Sequence, residues 1–204
     1  MKATDCTILA RRLSLRRALG EVISWLPFNS LRCRLYSALG YQIESGEIGW
    51  RTVIAVEGLR MTRAQIGRRN KIVGPFRITM SSHAAIGSDN EIFCGNWTLR
   101  DDHAQFGYER ELILEERSLI TSRHFIDVVG RIRIGAGAHI AGIHTQLWTH
   151  GHSSADRCID IGMDCFVGSG CIFTPGSGLA DRSIVGAGSV VSKRHYDKFC
   201  FLSG

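Results

Sequence analysis

The chain has 204 residues, of which 44% are hydrophobic and 22% charged; it can bury a core without a disulfide staple or structural metal, and it is neither disordered nor collagen-like. The formal net charge is +6, yet residues 1–40 alone hold seven basic residues against two acidic ones, so the body is nearly neutral and offers no nucleic acid a basic groove. Glycine is abundant at 23 residues while proline stands at 3, the balance of a chain with many tight turns rather than linkers.

Residues 1–44 read as an N-terminal basic helical segment. Thr7 or Asp5 stands where a helix cap is wanted. Leu9, Leu13, Ala18, Leu19, Val22 and Ile23 make an apolar side, and Arg11, Arg12, Arg16 and Arg17 dominate the other side. Pro27 ends this helix, and a second short helix through Leu31–Leu39 stops at Gly40. Two roles stand side by side: a helical cap over the open end of a solenoid, and a basic amphipathic helix (residues 7–25) lying on an anionic membrane surface. The apolar stretch Val22–Phe28 is too short for a span, and no cleavage-like site follows it.

From residue 45 onward an aliphatic slot recurs every six positions. Ile48, Ile54, Ile66, Ile72 and Ile78 share one phase. The phase shifts by two at Ile86–Gly87 and Ile92, returns at Ile120, Ile126 and Ile132, and shifts again at Ile134–Gly135 and Ile140. The last stretch is unbroken: Ile161, Val167, Phe173, Leu179, Val185, Val191. Small side chains sit four places after these slots at Cys165, Cys171, Ser177, Ser183 and Ser189. A period of six fits neither an amphipathic helix nor an alternating strand. It describes a short strand and a turn, repeated, with one large side chain per unit pointing inward and a small one filling the corner. Three such units close a triangular coil, and stacked coils bury a continuous aliphatic column.

Two stretches break the period. Residues 99–116 read as a loop or a poorly matching coil, and residues 152–159 leave the prism between two good coils; insertions of this kind gather at a binding face. Just before the second break lie His139, His144, His150 and His152. An imidazole there suits proton transfer from a hydroxyl, because its ordinary pKa is near neutrality. Asp156 and Asp160 are candidates to hold it, and Trp97 and Trp148 are aromatic residues whose commoner role is packing but which could also stack on a flat ligand ring. The seven scattered cysteines read as free thiols of a cytosolic protein, with Cys165 and Cys171 as core residues.

The run from Ile161 to Lys193 resembles the hexapeptide-repeat acyltransferases, most closely the galactoside, maltose and polysaccharide O-acetyltransferases. The resemblance covers residues 45–193, dense at the C-terminal end and loose before Ile120. It implies an all-β solenoid, a left-handed parallel β-helix preceded by an α-helical segment. It implies a catalytic domain over 45–193 and a tail over 194–204, stopping where the family continues into a Gly-x-Pro-Ala-Lys-like segment. The implied reaction is transfer of acetyl from acetyl-CoA to a hydroxyl of a saccharide (a polysaccharide, lipopolysaccharide or capsule precursor), with no metal. The family's Thr-x-x-His rung end is matched by Thr149-His150-Gly151-His152, which makes His152 the implied general base, His150 its competitor and His144 a third choice. The same resemblance assigns Phe166, Ser169, Ala187, Ser192 and Lys193 to the CoA groove, with Arg194 beside Lys193 toward the nucleotide phosphates. It further implies a homotrimer with sites between subunits; the free thiols and the basic N-terminal helix, for their part, point to the cytoplasm, or to a peripheral place at the inner face of the membrane. Two alternatives belong to other reactions. One is a CoA-dependent N-acyltransferase on an amino sugar nucleotide. The other is a gamma carbonic anhydrase-like protein using His103, His139 and His144, although that family places its first paired His directly after Ile-Gly, and His139 stands five places after Ile134.

Overall fold

The six-residue period folds as the edge of a three-sided coil. A computed structural model describes residues 3–151 and 156–204. All strand pairings are parallel, and each strand pairs with its counterpart one coil on. The first face stacks the N-terminal halves of Val53–Thr62 and Lys71–Met80, then Glu91–Phe93, Phe125–Asp127, Gln146–Trp148, Ile172–Phe173 and Val190–Val191. The second face stacks Gln42–Glu44, the C-terminal halves of the two long strands, Glu111–Leu114, Arg131–Ile134, Ile159–Ile161, Gly178–Leu179 and Arg194–His195. The third runs from Glu47–Ile48 to Phe201–Leu202. Residues 194–204, read from sequence as a tail, therefore contribute two further strands.

Every repeat slot points inward. On the third face Ile48, Ile66, Ile86, Ile120, Ile140, Val167 and Val185 stand in register and fully buried. Ile54, Ile72, Ile92, Ile126, Leu147, Phe173 and Val191 form the column of the first face. The phase shifts in the sequence have their cause on the second face. There several strands carry two inward residues, Ile78 with Met80, Leu112 with Leu114, Ile132 with Ile134 and Ile159 with Ile161. Alternation along a strand places them two apart, so those coils are two residues longer. Glu111–Leu114 lies within the stretch 99–116 read as irregular; its Leu112 and Leu114 are regular core positions.

The corner between the third and first faces is held by a buried polar ladder. Asn70 Oδ1 accepts the Asn90 N–H at 2.9 Å, Asn90 Oδ1 accepts the His124 N–H at 2.9 Å, and His124 Nδ1 accepts the Thr145 N–H at 3.0 Å. Thr145 Oγ1 accepts the Cys171 N–H at 3.3 Å. Each side chain pairs a backbone group of the next coil that the turn would otherwise leave unsatisfied.

Helices α1 (Ala3–Ser24) and α2 (Asn29–Ala38) cover the open end of the first coil, and Gly40 follows with φ +92 in the left-handed position that ends a helix. The apolar side expected of α1 is divided. Leu13 and Ile23 are buried, whereas Leu19 and Val22 are exposed together with Ile8 and Leu15. Arg16, expected on the basic outer side, is buried. Its guanidinium donates to the carbonyls of Val56 (2.6 Å), Glu57 (2.9 Å) and Leu39 (2.8 Å). The reason is the exposed rim of the coil, whose backbone groups have no further strand to pair with. Arg32 supplies donors to Ile48 and Leu26, and Tyr41 Oη accepts the Val56 N–H at 3.0 Å. Asn29 Oδ1 accepts the Ile48 N–H at 2.9 Å.

Candidate active site

The corner between the first and second faces is where both excursions leave. One departs after Phe93 and returns at Glu111, passing through short 3-10 turns at Asn96–Leu99 and Asp101–Phe106. The other departs after Trp148 and returns at Ile159. The coil between them makes the same corner tightly, from Asp127 to Arg131. Strand alternation turns Ile126 and Leu147 inward, so Asp127 and Trp148 emerge at the corner in register with each other. Thr149 then turns into the core. Its Oγ1 accepts the N–H groups of Val129 (2.8 Å) and Gly130 (2.9 Å) and donates to the Asp127 carbonyl at 2.5 Å. That anchorage fixes the next residue, His150.

His150 Nδ1 lies 2.7 Å from Asp127 Oδ2. The side chain of Asp127 is 1% exposed and that of His150 is 44% exposed. An ionised carboxylate accepts only, so for a neutral ring this contact selects the tautomer with the proton on Nδ1 and the lone pair on Nε2. The Thr149 N–H also donates to Asp127 Oδ2, at 3.2 Å. Aromatic rings wall the imidazole: Trp148 at 5.8 Å and Trp97, from the first excursion, at 6.2 Å, both edge-on. Trp97 in turn contacts Tyr108 (5.5 Å) and His103 (5.3 Å). The Arg157 guanidinium, from the second excursion, sits 5.2 Å from the centre of the Tyr108 ring. Gly130 makes this convergence possible, because a Cβ there would stand 2.0 Å from the Arg157 carbonyl oxygen.

The other sequence candidates are distributed. His152 lies outside the described residues. Asp156 and Asp160 are engaged elsewhere: Arg194 bonds Asp160 Oδ2 at 2.6 Å and Asp156 Oδ2 at 3.1 Å, and Arg131 reaches Asp160 at 3.3 Å. Arg194 is thus tied into an ion-pair cluster. Ser192 and Lys193 are exposed on the same corner as His150, two coils on, a rise of about 10 Å. Ser169 and Ala187 occupy the opposite corner of the first face, where Ser169 Oγ accepts the Ile143 N–H at 3.2 Å. Phe166 points outward on the third face, half exposed. Within one chain the five cofactor candidates therefore do not form a single patch. His139 lies on the third face and His103 at the excursion corner, and among the described residues no three His, Cys, Asp or Glu side chains converge as a metal site.

Sequence reasoning missed Asp127. Its trace was there: one acid embedded in the apolar run Ile126–Gly130. The cysteines near the corner are held protonated. Burial pushes the Cys94 thiol up to about 12. Burial and the Glu109 carboxylate, whose Oε1 accepts from Sγ at 3.0 Å, push Cys158 up to about 11.

No family model matches the sequence, and no curated protein matches it. Among solved structures the polySia-specific acetyltransferase NeuO matches with a TM-score of 0.50 at 14% identity, over 80% of this chain and 76% of that one. The GDP-perosamine N-acetyltransferase of Caulobacter crescentus, solved with CoA and GDP-perosamine, aligns over 86% of this chain and 62% of its own at 15% identity, with a TM-score of 0.23. The likeness is one of fold: this chain is built as the left-handed parallel β-helix found in hexapeptide-repeat acyltransferases.

Proposed function

We propose that the protein is an acetyl-CoA-dependent O-acetyltransferase acting on a saccharide hydroxyl, with His150 as the general base. The observation that carries this reading is the His150–Asp127 contact of 2.7 Å at a corner walled by Trp97 and Trp148. Asp127 fixes the tautomer and favours the imidazolium that forms in the reaction. Nε2 takes the proton of the acceptor hydroxyl as its oxygen attacks the thioester carbonyl of acetyl-CoA. The C–S bond breaks, and the imidazolium returns its proton to the departing CoA thiolate. The products are the acetyl ester and free CoA. Direct transfer agrees with Cys94 and Cys158, both of which are kept as thiols rather than nucleophilic thiolates. The aromatic walls offer faces and edges for the apolar side of a sugar ring.

The separation of Ser169 and Ala187 from Ser192 and Lys193 supports a homotrimeric arrangement. A CoA groove between neighbouring prisms would use one corner from each. The test is thiol release from acetyl-CoA with a panel of saccharides and amino-sugar nucleotides, comparing the wild type with His150→Ala and His152→Ala. Loss of about a hundredfold or more in kcat is expected for His150→Ala. Full activity in that variant would remove His150 from the base role, and loss confined to His152→Ala would transfer the role there. Turnover with amino sugars alone would replace the hydroxyl acceptor by an amine.

A further inference from the structure

α1 carries two apolar faces, and the prism uses only one. At 100° per residue, Leu13, Arg16 and Ile23 fall on the side that packs on the first coil. Ile8, Leu15, Leu19 and Val22, spaced by seven, four and three, line a separate stripe. Leu15 is 61% and Val22 68% exposed. Arg12 follows Ile8 by one helical turn and Arg11 precedes Leu15 by one turn, so an exposed arginine flanks the stripe on each margin. Among the described side chains of α1 the one acid is Glu21, away from the stripe. Beyond the helix Trp25, Phe28 and Leu31 are exposed as well. Trp50 meets Trp25 edge-on at 5.7 Å, with the Arg51 guanidinium 4.5 Å from the centre of the Trp25 ring.

We propose that this stripe docks the protein on an anionic lipid surface, with α1 lying in the plane of the headgroups. Aliphatic side chains would enter the acyl boundary, while Arg11 and Arg12 meet lipid phosphates and the indoles of Trp25 and Trp50 lie at headgroup depth. Charge selects this occupant over a second copy of the chain. Symmetric pairing of two such stripes brings arginine margins toward arginine margins, whereas anionic headgroups neutralise them. No described helix is long and apolar enough to cross the membrane, so the contact is one of lying on, not spanning. The inference is independent of the reading of the active corner.

The test is co-sedimentation of the full chain with vesicles of phosphatidylcholine mixed with phosphatidylglycerol, against vesicles of phosphatidylcholine alone. Binding to the mixed vesicles only, falling as salt is raised, is expected. Leu15→Glu with Val22→Glu, and separately Arg11→Glu with Arg12→Glu, should lower the bound fraction about tenfold or more. All four positions are exposed, so melting temperature and sedimentation coefficient in solution should match the wild type. A wild type that stays in the supernatant, or variants that pellet like it, overturn the proposal. So does a Leu15→Glu, Val22→Glu protein that falls from a larger assembly to a smaller one, which would make the stripe an interface between copies.

Discussion

Asp127 and His150 belong to adjacent coils of the prism, and their side chains meet at 2.7 Å with the carboxylate buried and the imidazole open to solvent. The carboxylate also accepts the Thr149 N–H at 3.2 Å, so one acid both fixes the corner and orients the ring. Replacing Asp127 by Asn keeps the shape and an acceptor but removes the charge and permits the wrong tautomer. A fall in kcat of roughly a hundred- to ten-thousandfold is expected, with KM nearly unchanged. Steady-state kinetics with a circular dichroism control measure it; a proportionate rise in KM instead would assign Asp127 to substrate binding.

His124 predicts how stability responds to acid. Burial in the polar ladder pushes its pKa down from the ordinary 6.5 to about 4. Its Nδ1 accepts the Thr145 N–H and its Nε2 meets Thr121 Oγ1 at 2.8 Å, which demands the neutral ring. Between these two pH values the unfolded chain holds a proton that the folded one refuses. Stability is therefore full above pH 6.5 and declines as pH falls toward 4, by on the order of 2–3 kcal/mol from this residue. His124→Asn restores the side chain used at Asn70 and Asn90 and should flatten that decline. Urea denaturation across this pH range in both proteins provides the comparison.

Gly130 leaves no room for a side chain. Ala there would put a Cβ 2.0 Å from the Arg157 carbonyl oxygen, pushing the second excursion off the corner. A loss of about 1–3 kcal/mol in stability is expected, with activity falling further than stability explains because Arg157 and His150 share that excursion. Denaturation and kinetics on Gly130→Ala test both parts.

Arg16 seals the rim of the first coil through three carbonyl groups. Burial lowers its pKa, and its own neighbours Tyr41 and Glu57 partly counter that. Arg16→Met keeps most of the bulk and leaves the carbonyls without donors, so a loss of about 2–4 kcal/mol is expected. Arg17→Met, an exposed neighbour, should stay within about 0.5 kcal/mol of the wild type. Thermal melts of the two proteins side by side provide the contrast.

The prism was legible because each side of each coil places at least one large apolar residue in the core, so the period survives even where strands are two residues long. The phase shifts were visible but not their cause, since a four-residue strand with two inward positions, such as Arg131–Ile134, looks like slippage until the coil is closed. The divided face of α1 was hidden for a different reason. Helical periodicity finds apolar residues without saying which stripe meets the core, and only the unpaired rim explains why Arg16 goes in. Of the site, His150 was within reach of local pattern. Asp127 was not: it stands 23 positions away in sequence and becomes a neighbour only through the stacking of coils.

The corner from Asp127 to Arg131 turns tightly while the coils on either side of it send out the two excursions. The Asp127–His150 pair thus rests on Phe125–Asp127 and on Thr149, whose hydroxyl is locked into the corner, whereas the rings of Trp97 and Tyr108 hang from a loop free of the register. On the proposed function, chemistry and choosiness would thereby be divided between separate parts of the fold. Changes in length or composition between 94 and 110 can redraw the surroundings of the Asp127–His150 pair without disturbing a single rung; on the proposed function, acceptor choice would then change while the base stays in place.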